Sequence, residues 1–128
     1  MVEILPCSGN VYDTNCPMQH VLNVLIDKWG ALIIGLLGRQ TMRFTALQRQ
    51  IEGISQKMLT QTLRSLERDG LVQRTVYAEV PPHVEYTLTP LGRSLYELMA
   101  VIREWSNTNV KDVIAAQQQY DIQALNGK

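Results

Sequence analysis

The first part of the chain carries two apolar stretches with the spacing of α-helices. In the first stretch, apolar side chains recur every three or four residues, at Val21, Leu22, Leu25, Ile26 and Trp29. Pro17 suits the first position of this helix, because its ring fixes the φ angle in advance. Gly30 interrupts the pattern, and a second helix is predicted to end near Gly38. Its apolar residues are Leu32, Ile33, Leu36 and Leu37.

Two shorter helices follow, separated by a turn that contains Gly53. The first of them has apolar residues at Phe44, Leu47 and Ile51. We expect its start to be capped by Thr45, or by Thr41 and Arg43 nearby. Gly53 suits the left-handed backbone conformation that ends many helices.

The second short helix is predicted to begin after Ser55, whose hydroxyl group is suited to capping the first turn. Its buried stripe consists of Met58 or Leu59, followed by Leu63 and Leu66. Gly70 then ends the helix.

Beyond Gly70 the apolar residues recur every second position, which is typical of β-strands. Residues 71–79 are rich in Val, Thr and Tyr. Residues 83–89 place Val84, Tyr86 and Leu88 on one face and His83, Glu85 and Thr87 on the other. The pattern predicts a two-stranded hairpin whose tip, Val80-Pro81-Pro82, is stiffened by proline.

A last helix is predicted to start at Thr89-Pro90, with Thr89 as its cap and proline at its first position. Its apolar residues are spaced by four, three, four and three positions: Leu91, Leu95, Leu98, Ile102 and Trp105. Such a regular stripe favours helix-to-helix packing. Residues 106–109 weaken the pattern, which predicts a bend or a break there, and residues 121–128 are expected to fray.

Composition indicates one ordinary globular domain. The chain has 128 residues, of which 45% are hydrophobic and 19% are charged. These values exclude a disordered chain, a coiled-coil rod and a disulfide-stapled miniprotein. We predict an N-terminal arm over residues 1–15, a single domain over residues 16–119 and a frayed tail over residues 120–128.

The formal net charge is zero, but the charge is unevenly distributed. Between Arg39 and Arg74 there are seven basic and three acidic residues, a local net charge of +4. The neutral total therefore excludes a wholly basic nucleic-acid coat but not a protein with one basic face.

No segment is apolar enough to cross a membrane, since the longest apolar run, Ala31–Gly38, is far shorter than the roughly 20 residues required. No signal peptide is evident, because the first basic residue is Lys28. With only Cys7 and Cys16 as cysteines, we expect a cytoplasmic protein with reduced thiols.

Two short helices joined by a glycine-containing turn and followed by a hairpin make a winged helix-turn-helix. The predicted fold is thus mainly α with a small β-hairpin, flanked by N- and C-terminal helices. The second short helix presents polar side chains opposite its buried leucines: Gln56, Lys57, Thr60, Gln61, Arg64 and Arg68. Such a face fits the major groove, because Gln can bond adenine and Arg can bond guanine. The other interpretation is a merely solvated helix surface.

Several spaced motifs, in the same order, resemble the HxlR family of bacterial regulators, a branch of the MarR-like winged-helix proteins. They are Cys16-Pro17, Lys28-Trp29, Arg43-Phe44 with Leu47, and the segments GISQKML at 53–59, LRSLERDGLV at 63–72, RTVY at 74–77 and VPPHVEYTLTPLG at 80–92. The resemblance covers about Cys16 to Trp105. It implies a homodimeric DNA-binding transcription regulator whose subunits pair through their terminal helices and bind a pseudo-palindromic site.

On this basis we predict two sets of site residues. The candidate DNA-binding residues are Arg43, Ser55, Gln56, Lys57, Thr60, Gln61, Arg64, Arg74 and His83. The candidate dimer-interface residues are Val21, Leu22, Leu25, Leu95, Leu98, Ile102 and Trp105. The stripe on the last helix could instead cover only the core of its own subunit. His83 stands at the wing tip, where the family often carries a basic residue. Because a histidine changes its charge near neutral pH, a wing contact made by His83 would be sensitive to pH.

Cys16 precedes a predicted helix start, where the backbone amides can favour a reactive thiolate. In some members of the resembling family a cysteine at this position senses electrophiles or oxidants. Cys16 is therefore a candidate redox sensor, and Cys7 a candidate resolving thiol. The alternative is a half-buried structural thiol.

Two other function classes fit parts of the sequence. An enzyme could use Cys16 as nucleophile and His20 as base, but no orienting motif, nucleotide loop or metal-ligand cluster accompanies them, so no catalysis, cofactor or metal is expected. A winged helix can also serve protein contacts alone. We favour a transcription regulator, a repressor by default, whose partners are double-stranded DNA, a second copy and a small electrophile or oxidant.

Overall fold

The structure, a computed structural model, describes Asn23 and residues 27–127. Its elements are α1 (Lys28–Leu37), β1 (Met42–Arg43), α2 (Phe44–Gln50), α3 (Gln56–Arg68), β2 (Val72–Tyr77), β3 (His83–Leu88) and α4 (Pro90–Asn126). The predicted class, mainly α with a small antiparallel sheet, is confirmed. None of the helices in this part of the chain is long and apolar enough to cross a membrane.

Helix α1 begins before the glycine at which the sequence predicted a break. The carboxylate of Asp27 accepts a hydrogen bond from the Gly30 amide at 3.2 Å, so Gly30 belongs to the first turn. The prediction that Gly30 separates two helices is therefore wrong. Trp29, predicted for the preceding helix, lies in α1. The other apolar residues predicted for that helix, namely Val21, Leu22, Leu25 and Ile26, lie outside the described residues.

The turn between α2 and α3 follows the sequence closely. Gly53 has a φ angle of +87°, as predicted for a left-handed residue. The Ser55 hydroxyl accepts a hydrogen bond from the Met58 amide at 3.0 Å, which confirms the predicted cap of α3. Of the residues predicted to cap α2, Arg43 occupies the cap position and Thr45 does not, and no side chain makes a capping hydrogen bond there.

Three antiparallel strands, not two, form the sheet, in the order β1-β3-β2. The predicted hairpin is present, with Val72 paired to Leu88 and Tyr77 paired to His83. The third strand, β1, has two residues, and its Met42 pairs with Tyr86. The Val80–Pro81 peptide bond at the hairpin tip is cis.

The core lies among α1, α2 and α3. Seven large side chains in these helices are almost fully enclosed: Ile33, Ile34, Leu37, Leu47, Leu59, Leu63 and Leu66. Of the two residues predicted as alternatives on α3, Leu59 is buried and Met58 is exposed. The sheet adds Val72, Tyr86 and Leu88, so α3 is held against a rigid support and only its outer face remains free.

Helix α4 starts as predicted, since the Thr89 hydroxyl accepts from the Gly92 amide at 3.0 Å. The predicted break at residues 106–109 is wrong, because α4 is one helix from Pro90 to Asn126, whereas the alternative of a bend stays a prediction. Polar side chains there bond back along the helix, with Ser106 Oγ donating to the Ile102 carbonyl and Asn109 Nδ2 to the Trp105 carbonyl.

Contacts between residues divide the chain into two compact units. The first unit ends at Tyr96 and the second begins at Glu97. The predicted division into an arm over residues 1–15, a domain over 16–119 and a tail over 120–128 stays a prediction. Within residues 120–128, those up to Asn126 are helical.

Candidate nucleic-acid interface

Helix α3 presents a polar face opposite its buried leucines. Four predicted DNA-binding residues on this helix are exposed and one is half-buried: Gln56, Lys57, Gln61, Arg64 and, half-buried, Thr60. Arg68 on the same helix is also exposed. Because the opposite side of α3 is locked in the core, these side chains project from a fixed backbone. The arrangement offers amide, hydroxyl and guanidinium groups along one helix face.

Two hydroxyl groups at this face already make local hydrogen bonds. Ser55 is exposed, and its hydroxyl oxygen holds the first turn of α3. Thr60 donates its hydroxyl proton to the Gln56 carbonyl at 2.8 Å. Thr60 therefore retains its acceptor lone pairs and its methyl group for an outside contact, such as a thymine methyl.

A groove of about 390 Å³ separates the exposed face of α3 from the hairpin. It is lined by Phe44, Gln56, Thr60, Leu63, Arg64, Glu67, Arg74, Val84 and Tyr86. The structure thus brings together four of the predicted residues, namely Gln56, Thr60, Arg64 and Arg74. Arg43 is exposed at the start of α2, its backbone pairs with Glu85, and it does not line this groove.

Glu67 is a member of this groove that the sequence reasoning missed. Its Oε2 lies 3.7 Å from Nε of Arg74, so an ion pair joins α3 to β2. The position of Glu67 one turn after Arg64 was the available signal, because residues three apart share a helix face.

Tyr86 forms the floor of the groove. Burial raises the pKa of its phenol above 10.0, and the positive charge of Arg74 opposes this rise. Tyr86 therefore stays neutral at physiological pH.

His83 is largely covered by other wing residues. Its ring stacks on Tyr77 with 4.7 Å between centroids, and its Nδ1 lies 3.4 Å from Oε2 of Glu79. Only 16% of the His83 side chain is exposed. A hydrogen bond to Glu85 raises the pKa of Tyr77 above 10.0. The wing from Thr75 to Thr89 contains two carboxylates and no lysine or arginine.

The predicted dimer residues on α4 are accessible to different degrees. Leu95 is half-buried, whereas Leu98, Ile102 and Trp105 are exposed. The other predicted members, Val21, Leu22 and Leu25, and the candidate sensors Cys7 and Cys16 lie outside the described residues. Among the residues that the structure describes, no three His, Cys, Asp or Glu side chains form a cluster able to hold a metal ion.

Known proteins are similar to this chain in sequence and in fold. The family model for the HxlR-like helix-turn-helix matches residues 24–113. The chain is 43% identical over 111 residues to the uncharacterized HTH-type transcriptional regulator YtfH of Escherichia coli (strain K12), covering 87% of this chain and 88% of that protein.

Two solved structures extend the comparison. The putative transcriptional regulator ytfH from Salmonella typhimurium is 42% identical, with a TM-score of 0.77 over 86% of this chain and 98% of that one. The redox regulator HypR in its oxidized form is 40% identical, with a TM-score of 0.67 over 73% of this chain and 97% of that one. The chain therefore belongs to the HxlR-like helix-turn-helix family, whose members are transcriptional regulators and not enzymes.

Proposed function

We propose that this regulator binds a specific operator as a homodimer, with α3 in the major groove, and that it acts as a repressor. The observation that carries the proposal is the face of α3 with exposed Gln, Lys and Arg side chains and the half-buried Thr60, held on a helix whose opposite side is buried. Gln56 or Gln61 can pair with adenine, and Arg64 can pair with guanine through O6 and N7.

A second copy supplies the second half of the recognition surface. One winged helix contacts too few base pairs for high specificity, whereas a dimer places two recognition helices about 34 Å apart on a pseudo-palindromic site. The exposed apolar side chains of Leu98, Ile102 and Trp105 support pairing through α4.

We further propose that Cys16 makes the regulator responsive to oxidants or electrophiles. The similarity to HypR, a protein named as a redox regulator, supports this role. Oxidation by diamide would join Cys16 to a second thiol, Cys7 or a cysteine of the other subunit, and diamide would take up both hydrogens. The alternative role of Cys16 is a structural thiol.

The alternative function is a winged helix that serves protein contacts. The specific observation in its favour is the wing from Thr75 to Thr89, which carries Glu79 and Glu85 but no lysine or arginine of its own, and in which Val76 and Val80 are exposed. A surface of this kind repels phosphate groups but can accept a basic protein partner.

A binding titration separates these functions. The purified protein is titrated with the duplex from immediately upstream of its own gene, with a scrambled duplex as control, and with a duplex selected from random sequences if the upstream one fails. An operator-binding regulator gives tight, selective binding, and its log affinity falls steeply with log salt. Weak and equal binding to all duplexes would favour the protein-contact function.

Two substitutions on α3 sharpen the assignment. We expect Arg64→Ala to cost about 1–3 kcal/mol of operator binding and to relax specificity at one base pair. Lys57→Ala is the matched control, which should weaken all duplexes alike. A uniform loss with Arg64→Ala would make Arg64 a phosphate contact.

The sensor role is tested by repeating the titration after diamide treatment. We expect the wild-type protein to change its operator affinity, and the Cys16→Ser variant to keep it. Cys7→Ser identifies the resolving thiol, because it abolishes the disulfide if Cys7 is the partner. Equal responses of wild type and Cys16→Ser would exclude Cys16 as the sensor.

A further inference from the structure

The ion pair between Glu67 and Arg74 has an unusual place for a carboxylate. It lies in the groove between α3 and the hairpin, beside Arg64, on the surface that we assign to DNA. A carboxylate on such a surface repels backbone phosphates, so its simplest effect would be to weaken binding. A favourable effect of Glu67 on DNA binding would have to act through the orientation of the Arg74 side chain.

The geometry directs Arg74 out of the sheet towards α3. Arg74 on β2 is paired with Tyr86 on β3, and directly paired residues of antiparallel strands project from the same face. Tyr86 is buried and lines the groove together with Arg74, whose positive charge acts on the Tyr86 phenol. On the other side of the groove, Glu67 meets the guanidinium group at Nε.

A contact at Nε suits the recognition of a second anion. The guanidinium group is a rigid plane with five N–H donors, four of which belong to the two terminal nitrogens. At 3.7 Å the contact is an ion pair and not a hydrogen bond, so the carboxylate favours one orientation of the guanidinium group by charge and leaves the terminal nitrogens able to bind a phosphate. A favoured orientation also reduces the side-chain entropy that Arg74 would lose on binding.

The ion pair between Glu67 and Arg74 is expected to add little to the stability of the fold. The side chains of Arg74 and Glu67 are 48% and 42% exposed, and ion pairs this exposed to water contribute little to folding. Their effect should therefore be visible in DNA binding and not in the unfolding transition.

We propose that Glu67 is a positioning residue for DNA binding, which orients Arg74 so that its terminal nitrogens face a backbone phosphate beside α3. The inference rests on the proposed function, since it assumes that the groove faces DNA. It makes α3 and the hairpin one binding surface, in which an acidic residue strengthens the attraction of a basic one.

The sign of one substitution tests the proposal. Glu67→Ala removes a negative charge, so a carboxylate that merely repels DNA would give tighter binding when deleted. A positioning role predicts operator binding weaker by roughly 5-fold to 10-fold, with the slope of log affinity against log salt reduced by about 0.9, as for the loss of one phosphate contact. Glu67→Gln, which keeps an oxygen acceptor, should recover part of the affinity.

Glu52→Ala is the matched control. Glu52 is an exposed carboxylate in the same basic segment, and the described residues show no ion pair for it. Its removal should leave operator binding unchanged or strengthen it. Urea unfolding of Glu67→Ala should match that of the wild type, which separates positioning from a loss of structure.

A double substitution completes the test. In an Arg74→Ala background, Glu67→Ala should cause no further loss, because the residue that it orients is gone. If Glu67→Ala binds the operator as tightly as wild type or more tightly, the positioning role is overturned while the proposed function stands. If the wild-type protein itself binds all duplexes weakly and equally, the proposed function fails and this inference fails with it.

Discussion

The two units of the chain differ in the burial of their apolar side chains. In the unit that ends at Tyr96, helices α1, α2 and α3 enclose a core of isoleucines and leucines. From Glu97 to Gly127 no residue is buried. Large apolar side chains are nevertheless frequent there and exposed: Leu98, Val101, Ile102, Trp105, Val110, Val113, Ile114, Tyr120, Ile122 and Leu125.

The buried apolar side chains of the first unit stabilise the fold, whereas the exposed ones of the second unit are available for contacts with another molecule. The first unit gains its stability from burial within itself. The second unit has comparable apolar side chains but no interior of its own, and an isolated helix in water depends on packing one face against something else. The second copy that we propose would supply that surface.

The largest expected effect is the loss of a core side chain. Leu59 is 0% exposed, so Leu59→Ala should lower the free energy of unfolding by about 2–5 kcal/mol. The matched control in the second unit is Leu125→Ala, because Leu125 is 83% exposed. Urea unfolding followed by circular dichroism measures both. Equal losses for the two variants would contradict the contrast between the units.

Trp105→Ala tests the assembly surface that we propose on the second unit. Trp105 is 60% exposed, and if α4 pairs with a second copy, removing this ring should weaken the dimer by roughly 2 kcal/mol, about 30-fold in the dissociation constant. Sedimentation equilibrium measures the constant. Glu104→Ala, a polar change at the adjacent position, should leave it unaltered. A Trp105→Ala protein that dimerises like wild type would remove this residue from the interface.

Gly92→Ala tests the close packing of α4 against the backbone of Leu71 in the first unit. A Cβ atom at Gly92 would overlap with the Leu71 carbonyl oxygen, so the backbone must shift at a cost of roughly 1–3 kcal/mol. Gly35→Ala is the matched control, because a Cβ atom there meets nothing within 4 Å, and this helical site should gain about 0.5–1 kcal/mol. Thermal unfolding compares them, and destabilisation by both changes would argue against a specific contact at Gly92.

The first unit was also the more predictable from sequence. Ser55, Thr89, Gly53 and Gly70 are local signals whose meaning depends on a few neighbouring residues, and the structure confirms each of them. Strand β1 was missed because two residues carry no periodicity, and only pairing with β3 defines it.

The errors on α4 and in the groove have different physical causes. Residues 106–109 lack apolar side chains, but a helix can continue through polar residues whose side chains bond back to it. The exposed polar residues on α3, which we propose face DNA, follow from the period of the helix, whereas the link from Glu67 to Arg74 depends on how the hairpin folds beside the helix. Contacts between elements distant along the chain have no local pattern to reveal them.

The smallest expected effect is a change of titration within the wing. The hydrogen bond to Glu85 and the negative charge of Glu85 raise the pKa of Tyr77 above 10.0, so the folded protein holds the phenol proton more tightly than the unfolded chain. The resulting stabilisation is fully present below pH 10 and is lost as the pH rises through the folded pKa of Tyr77.

Glu85→Gln should therefore lower the pKa of Tyr77 towards its ordinary value, because the carboxylate that opposes the phenolate is gone. The phenolate absorbance, measured as a difference between wild type and Tyr77→Phe, isolates this one tyrosine. Tyr86 is the internal reference, since burial is the main reason that its pKa is raised and Glu85→Gln leaves that burial in place. If Glu85→Gln leaves the Tyr77 titration unchanged, the carboxylate of Glu85 does not hold this phenol, and the stacking of Tyr77 on His83 remains as a contact of this side chain within the wing.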